Sequence, residues 1–168
     1  MSGLPGSGKT TIAHALAAGL GCAVLSVDTI EAGMRRAGVG GDQPCGLAAY
    51  AVAQALADVQ LRLGLPVIAD AVNVAAPARE AWMELAAARE VPLVVVEVHC
   101  SDSLTHRERL ESRPVELSAI SWQEIERRRQ QTSPWPVDTC QVDSIEPLDV
   151  VVSQVLTHLR DRRPATAR

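Results

Sequence analysis

The sequence opens with MSGLPGSGKTT at residues 1–11, and residues 3–10 match the pattern G-x-x-x-x-G-K-[ST] at every position. This pattern is typical of loops that bind nucleotide phosphates. Its glycines permit backbone conformations that a Cβ atom would forbid, so successive amide groups can point at phosphate oxygens. The sequence therefore predicts phosphate contacts along the whole loop, which consists of Gly3, Leu4, Pro5, Gly6, Ser7, Gly8, Lys9, Thr10 and Thr11.

Two side chains of this loop carry chemistry of their own. Lys9 would bring a positive charge to the β- and γ-phosphates, and the hydroxyl of Thr10 suits a bound Mg²⁺ ion. Residues 9–20 have apolar side chains at helical spacing and are followed by Gly21, which is typical of a helix end. The positive end of that helix would face the same anion. We therefore interpret the loop as a site for a nucleoside triphosphate and Mg²⁺.

The beginning of the chain does not fit the usual context of this motif, in which a strand precedes the loop. Only Met1 and Ser2 precede Gly3. In folds of this type the first strand lies inside the sheet, and its loss would leave unpaired backbone groups on both sides. We therefore expect the first strand to be missing or truncated in this sequence, and the natural protein to carry several more apolar residues ahead of Met1.

Composition and charge narrow the class of protein. A chain of 168 residues with 47% hydrophobic residues fits one globular domain. The net charge of −4 gives no general attraction to nucleic acid or to a membrane surface. The longest apolar run, at residues 91–98, is too short to span a bilayer. The four cysteines are scattered without a C-x-x-C pair, so we expect reduced thiols and a cytoplasmic location.

Helical and strand-like segments alternate along the chain. Short apolar runs at residues 22–27, 65–70 and 92–99 read as strands, and Ala-rich or charged segments with helical spacing lie between them. This alternation predicts an α/β fold of three layers, with a parallel sheet covered by helices on both faces. Asp28 and Asp70 follow two of the strands, so we expect them at the edge of the sheet where ligands bind.

Two absences point away from hydrolytic nucleotide-binding proteins. A guanine-binding N-K-x-D segment does not occur in the sequence, which argues against a GTPase. Asp70 is followed by Ala71, where many ATPases place a glutamate that activates water. The chain is also too short for an additional helical domain. A small phosphotransferase that uses ATP is the remaining interpretation.

At this point the sequence resembles the small P-loop kinases related to zeta toxin, chloramphenicol phosphotransferase and the kinase domain of phage polynucleotide kinase, within the AAA-domain group of ATP-binding proteins. The resemblance rests on SGLPGSGKTT, on SVD at residues 26–28, on VIADAVN with Arg79, and on RERLESR at residues 107–113. It implies that Asp28 orients the acceptor hydroxyl or takes its proton, although a role as a helix N-cap is the alternative. It also implies that Asp70 holds Mg²⁺ beside Thr10.

The resemblance further implies a lid at about residues 109–131, within a kinase-like domain of residues 1–160 that is followed by a flexible tail at 161–168. Arg109 and Arg113 are spaced i, i+4 and would bring their guanidinium groups to the transferring phosphate, so we count them with Lys9 and Asp28 as candidate catalytic residues. The alternative is that Arg109 and Arg113 lie on an exposed helix with alternating charges and have no role at the phosphate. We expect residues 116–120 to form the mobile part of the lid.

Other residues of the pattern allow more than one interpretation. Asn73 would contact the acceptor or stabilise a turn, and Arg79 is expected to be a solvated helix residue. Trp122 and Trp135 flank the lid and would either pack in the core or stack on a ligand.

The acceptor is left open by the sequence. A hydroxyl of a small molecule is the main expectation. A polynucleotide 5′ end is disfavoured because Asp28 is not followed by an arginine until Arg35. The third possibility is a module that binds nucleotide without catalysis.

The expected upstream residues can be tested directly. Mass spectrometry of the N-terminal peptide of the native protein should give residues ahead of Met1, because an interior strand is expected there. An intact native protein that starts at Met1 would contradict this expectation.

Overall fold

The computed structural model describes residues 1–39, 45–113 and 120–162. Strands and helices alternate in these residues as the sequence predicts. The strands are β1 (Ala23–Ser26), β2 (Val67–Asp70), β3 (Val95–His99) and β4 (Thr139–Asp143). The helices are α1 (Lys9–Leu20), α2 (Val27–Arg36), α3 (Cys45–Arg62), α4 (Ala76–Ala88), α5 (Ser103–Glu111), α6 (Trp122–Gln131) and α7 (Leu148–Asp161).

The strands form two parallel pairs, β1 with β2 and β3 with β4. The registers place Ser26 opposite Asp70 and His99 opposite Asp143, so the carboxyl ends of the strands in each pair are level. The α/β fold class with a parallel sheet is confirmed. Each pair is small, and a space separates β2 from β3, which are not paired with each other.

Met1 and Ser2 lie in that space. The amino group of Met1 donates to the Ala69 carbonyl at 2.6 Å, and the Ser2 amide donates to the Val96 carbonyl at 2.8 Å. The Val98 amide in turn donates to the Ser2 carbonyl at 2.8 Å. Two residues thus connect β2 to β3 by parallel hydrogen bonds and run directly into the glycine-rich loop.

Two apolar clusters lie among the elements that flank the strands. The cluster of α1, α7 and the β3–β4 pair consists of Ile12, Leu16, Val96, Val98, Cys140, Val142, Val151 and Val155. The other consists of Val27, Ala49, Ala53, Ala57, Ala71, Trp82, Val95 and Trp135. Small alanine side chains let α3 approach the strands closely, and the two tryptophans supply the volume that phenylalanine provides in other cores.

Helix α2 begins at Val27, which decides against the alternative role of Asp28 as a helix N-cap. The N-cap is Ser26, whose hydroxyl accepts from the Thr29 amide at 3.3 Å. Asp28 therefore lies in the first turn of α2 and is not its N-cap. A carboxylate in the first turn is favoured by the helix dipole.

Arg79 differs from the expectation of a solvated residue, because it is only 4% exposed. Its guanidinium donates to the carbonyls of Asn73 at 2.6 Å, Ser133 at 2.5 Å and Pro134 at 3.2 Å, and lies 5.1 Å from the centre of the Trp135 ring. Carbonyl groups in loops lack the hydrogen-bond partners that helices and strands provide. The buried guanidinium of Arg79, which has five N–H donors, supplies hydrogen bonds to these carbonyls.

The expectations for residues 116–119 of the lid and 163–168 of the tail lie outside the described residues, so the domain and lid boundaries stay predictions. In the described part of the lid, α5 ends at Glu111 and α6 begins at Trp122 after an N-cap at Ser121, whose hydroxyl accepts from the Glu124 amide at 3.2 Å. Within the described ranges, none of the helices combines the length and the apolar character that a membrane crossing requires.

The buried arginine provides a stability test. We expect Arg79→Leu to lower the free energy of unfolding by about 3 kcal/mol, because three carbonyls would lose their donor. Urea denaturation monitored by circular dichroism measures this difference. Arg89→Leu is the matched control, because Arg89 follows the same helix and its ion pair with Asp58 is exposed to solvent. Equal midpoints for the Arg79 variant and the wild type would contradict the assignment.

Candidate functional site

The glycine-rich loop runs from the sheet to the first turn of α1. The backbone φ angles are +151° at Gly3, +81° at Gly6 and +90° at Gly8, a region that favours glycine. A Cβ atom at Gly3 would lie 2.4 Å from the Val98 carbonyl oxygen, so the close approach to β3 also excludes a side chain there. The hydroxyl of Ser7 is buried and has no hydrogen-bond partner among the residues described. The loop thus has the shape and the free polar groups of an anion cradle.

Thr10 and Asp70 come together at the start of α1, although 60 residues separate them in the chain. The Thr10 hydroxyl donates to one carboxylate oxygen of Asp70 at 2.7 Å. The other oxygen is buried and lacks a partner in the described residues. A hydroxyl and a free carboxylate oxygen beside a phosphate cradle are hard oxygen ligands, so these two residues fit Mg²⁺.

A cavity of about 540 Å³ opens over the loop. Lys9, a buried residue at the start of α1, and Arg109 of α5 supply positive charge to its lining. The residues that line it are Gly6, Gly8, Lys9, Thr10, Thr11, Ile12, Arg109, Ser112, Arg113, Ser144, Ile145, Glu146, Leu148 and Val151. The structure therefore brings together at one cavity five of the nine predicted loop residues and both arginines predicted for the lid, whereas Gly3, Leu4, Pro5 and Ser7 do not line it.

Arg109 is held at the wall of this cavity by the segment that follows β4. Its guanidinium donates to the Ser144 hydroxyl at 2.7 Å and to the Ser144 carbonyl at 3.2 Å. Ser144 also approaches the loop, since a Cβ atom at Gly8 would lie 3.0 Å from the Cβ of Ser144. No sequence motif marks Ser144, although its position directly after a strand at the carboxyl edge of the sheet is an available signal.

Arg113 lies just beyond the end of α5 and pairs with Asp28. The two side chains are 2.5 Å apart, and they are 14% and 27% exposed. The two candidate catalytic residues are therefore in direct contact. Arg113 lines the phosphate cavity, whereas Asp28 is connected to the cavity through Arg113 and is not among its lining residues. The sequence predicted both residues for the site and gave no indication that they pair with each other.

Tyr50 of α3 is a second residue near the site that no sequence motif marks. Its hydroxyl accepts from the Asn73 amide at 3.0 Å. Burial raises the pKa of Tyr50, and the negative charges of Asp28 and Asp70 raise it further. The phenol therefore keeps its proton and lies near both aspartates. A single tyrosine inside an Ala-rich helix carries no sequence signal for this position.

Asn73 adopts the turn role that the sequence left open. Its φ angle is +53°, its side-chain amide donates to the Met1 carbonyl at 3.1 Å, and its side-chain carbonyl accepts from Trp82 at 3.1 Å. Trp135 packs in the core. Trp122 packs against α5, with its ring 5.3 Å from that of His106. Neither Trp122 nor Trp135 lines the phosphate cavity described above.

Comparisons with known proteins agree with this geometry. A protein from Chloroflexus aurantiacus J-10-fl that is described as a kinase is 24% identical, with a TM-score of 0.78 over 96% of this chain and 94% of that one. A gluconokinase from Sinorhizobium meliloti 1021 is 21% identical, with a TM-score of 0.66 over 95% and 89%. Kti12 from Chaetomium thermophilum, in complex with ADP-AlF3, is 22% identical, with a TM-score of 0.72 over 95% of both chains.

These structural likenesses show the fold of P-loop kinases, as the resemblance in the sequence implies. A search of the curated proteins gives no match. The model of the AAA domain family matches residues 1–135, which is most of the chain. The chain therefore belongs to the AAA domain family.

Proposed function

We propose that this protein is a kinase that transfers the γ-phosphate of ATP to a hydroxyl group of a small molecule. The observation that carries the proposal is the arrangement at the cavity. An anion cradle with Lys9, an oxygen pair for Mg²⁺, and the carboxylate of Asp28 lie at one edge of the sheet, with two arginines over them. The kinases among the structural neighbours support the enzyme class, and the nucleotide complex of Kti12 supports nucleotide binding.

Each residue has a role in this proposal. The loop amides and Lys9 bind the β- and γ-phosphates, and Thr10 and Asp70 hold Mg²⁺. A bound Mg²⁺ neutralises charge on the phosphates. Arg109, fixed on Ser144, stabilises the negative charge that spreads over the equatorial oxygens in the transition state. The contribution of these groups to catalysis consists of positioning and charge stabilisation.

Asp28 takes the proton of the acceptor. In the transfer step, a bond forms between the acceptor oxygen and the γ-phosphorus, and the bond from that phosphorus to the β–γ bridging oxygen breaks. The hydroxyl proton moves to the carboxylate of Asp28, and ADP leaves with the negative charge on its β-phosphate. A carboxylate within hydrogen-bond reach of the attacking hydroxyl is the geometry that general base catalysis requires.

The contact between Arg113 and Asp28 implies an order of events. While Arg113 holds one carboxylate oxygen of Asp28, the guanidinium competes with an acceptor hydroxyl for that oxygen. A triphosphate in the cavity offers Arg113 an anion of higher charge, and guanidinium groups bind phosphate in a bidentate manner. Binding of ATP therefore draws Arg113 to the γ-phosphate and frees Asp28 for the acceptor.

The main prediction concerns Lys9 and Asp28. We expect Lys9→Ala to abolish ATP turnover. We expect Asp28→Asn to keep ATP affinity within about threefold and to lower the rate on the order of 10²–10³-fold, because only the proton acceptor is lost. Calorimetry measures affinity, and ADP release in the presence of a panel of sugars, nucleosides and amino alcohols measures the rate.

Arg107→Ala is the control for these variants, because Arg107 lies on the same helix as Arg109 and pairs with Glu111 at the surface. Full rate in Asp28→Asn would show that the base is another residue. ATP binding without turnover on any acceptor, short oligonucleotides included, would replace the kinase by a non-catalytic nucleotide-binding module.

The metal site predicts a separate effect. We expect Asp70→Asn to weaken ATP binding about tenfold in the presence of Mg²⁺ and to leave it nearly unchanged in EDTA, because the charged oxygen ligand is lost. Calorimetric titrations in both buffers measure this difference. Asp58→Asn on α3, whose carboxylate pairs with Arg62 and Arg89 away from the cavity lining, should match the wild type in both. An Asp70 variant with an unchanged response to Mg²⁺ would remove Asp70 from the metal site.

A further inference from the structure

A buried histidine connects the phosphate-binding loop to the lid. His106 lies on α5 and is 2% exposed. Its Nε2 atom is 2.8 Å from the Pro5 carbonyl oxygen in the loop, 101 residues away in the chain. Its Nδ1 atom is 3.2 Å from a guanidinium nitrogen of Arg129 on α6. The imidazole thus contacts the loop with one nitrogen and the lid helix with the other.

The chemistry of the two partners decides which form of the ring is present. A carbonyl oxygen can only accept, so Nε2 must carry a proton to bond Pro5. A guanidinium can only donate, so Nδ1 must offer its lone pair to Arg129. Both bonds form only when the imidazole is neutral and protonated on Nε2. The arginine on α6 thereby selects the tautomer that holds the loop.

We propose that His106 is a positioning residue for phosphate binding. Its neutral imidazole, with the proton on Nε2, fixes the Pro5 carbonyl and so keeps the loop in the shape that receives a triphosphate. Arg129 acts through His106 and does not line the cavity. The proposal rests on the nucleotide binding proposed above and is independent of which hydroxyl compound is phosphorylated.

The side chains packed around the imidazole restrict the movement of both the phosphate-binding loop and the imidazole ring. A Cβ atom at Gly6 would lie 3.1 Å from Cδ2 of His106 and 3.2 Å from its carbonyl oxygen. Trp122 of α6 meets the ring edge-on, and the guanidinium of Arg129 lies 5.8 Å from the centre of the Trp122 ring. Helices α5 and α6 therefore pack against the part of the loop that contains Pro5 and Gly6, ahead of Lys9.

The charged groups around the ring also favour its neutral form. Burial is the main cause that lowers the pKa of His106 below 6.5, and the cations Arg129 and Arg109 lower it further. The bond to Pro5 and the carboxylate of Glu126 on α6 oppose this shift. The imidazole binds a proton more readily in the unfolded chain than in the folded protein. The contribution of the neutral ring to the free energy of unfolding is therefore complete above pH 6.5 and decreases as the pH falls below 6.5.

Nuclear magnetic resonance of the ¹⁵N-labelled full chain tests the tautomer without any nucleotide. We expect the ring nitrogens of His106 to show a protonated Nε2 and an unprotonated Nδ1 at pH 7.5, with a titration midpoint below 6.5. In Arg129→Gln the midpoint should rise, because a cation facing Nδ1 is removed. Arg128→Gln is the matched control, because Arg128 pairs with Glu124. A proton on Nδ1, or a midpoint unaffected by Arg129→Gln, would overturn the proposal.

Binding measurements test the positioning role. We expect His106→Leu to weaken binding of Mg·ATP and of Mg·tripolyphosphate about tenfold, because the Pro5 carbonyl loses its donor. His106→Gln should restore affinity to within about threefold of the wild type, since a glutamine amide can donate to Pro5 and its carbonyl can accept from Arg129. A purely structural role would lower the melting temperature of both variants and leave the affinity of the folded protein unchanged.

The outcomes separate this proposal from the proposed function. If the wild type binds neither ATP nor tripolyphosphate, the nucleotide site and the positioning role are both overturned. If the wild type binds both and the folded leucine variant binds them equally well, only the role of His106 is overturned. Weak binding in the leucine variant, with recovery in the glutamine variant, supports the role of His106 whether or not the protein phosphorylates any of the acceptors tested.

Discussion

The architecture depends on the pairing of Met1 and Ser2 with the two strand pairs. Backbone groups inside a sheet need partners, and these two residues supply them to β2 on one side and to β3 on the other. The next residue, Gly3, passes so close to the Val98 carbonyl that no side chain fits. The entry angle of the phosphate-binding loop is therefore set by main-chain contacts at its first residue.

From that entry point, the rest of the site is positioned by neighbouring elements. The register of β1 and β2 brings Asp70 level with Ser26, which caps the helix that carries Asp28. The end of β4 places Ser144 against both Gly8 and Arg109. Helix α5 contributes His106, which contacts the loop at Pro5, and Arg109, which lines the cavity together with Arg113 just after the helix. The cavity itself is lined by three segments, residues 6–12, 109–113 and 144–151, and a shift in any of them changes the geometry at the phosphates.

Buried polar groups in this molecule are concentrated around the loop. Arg79 satisfies the carbonyls of two loops, Asn73 holds the Met1 carbonyl, and His106 holds that of Pro5. Each of these side chains binds main-chain groups that lie outside helices and strands. A polar group in the interior must be paired, so the irregular segments around the site can be buried only because these side chains accompany them.

The sequence alone determined the alternation of helices and strands, the parallel sheet and the identity of the phosphate loop, because hydrophobic period, capping residues and a glycine pattern are local signals. It also indicated Asp70, Asp28, Arg109 and Arg113 as site residues, with roles that remain proposals. Tertiary structure decided which of these groups pair. The Asp28–Arg113 contact joins residues 85 positions apart. The hydrogen bonds from Arg79 to Ser133 and from His106 to Pro5 join residues 54 and 101 positions apart, and His106 also connects α5 to Arg129 of α6. No periodicity or spacing encodes such contacts, since they depend on how separately folded elements pack against one another.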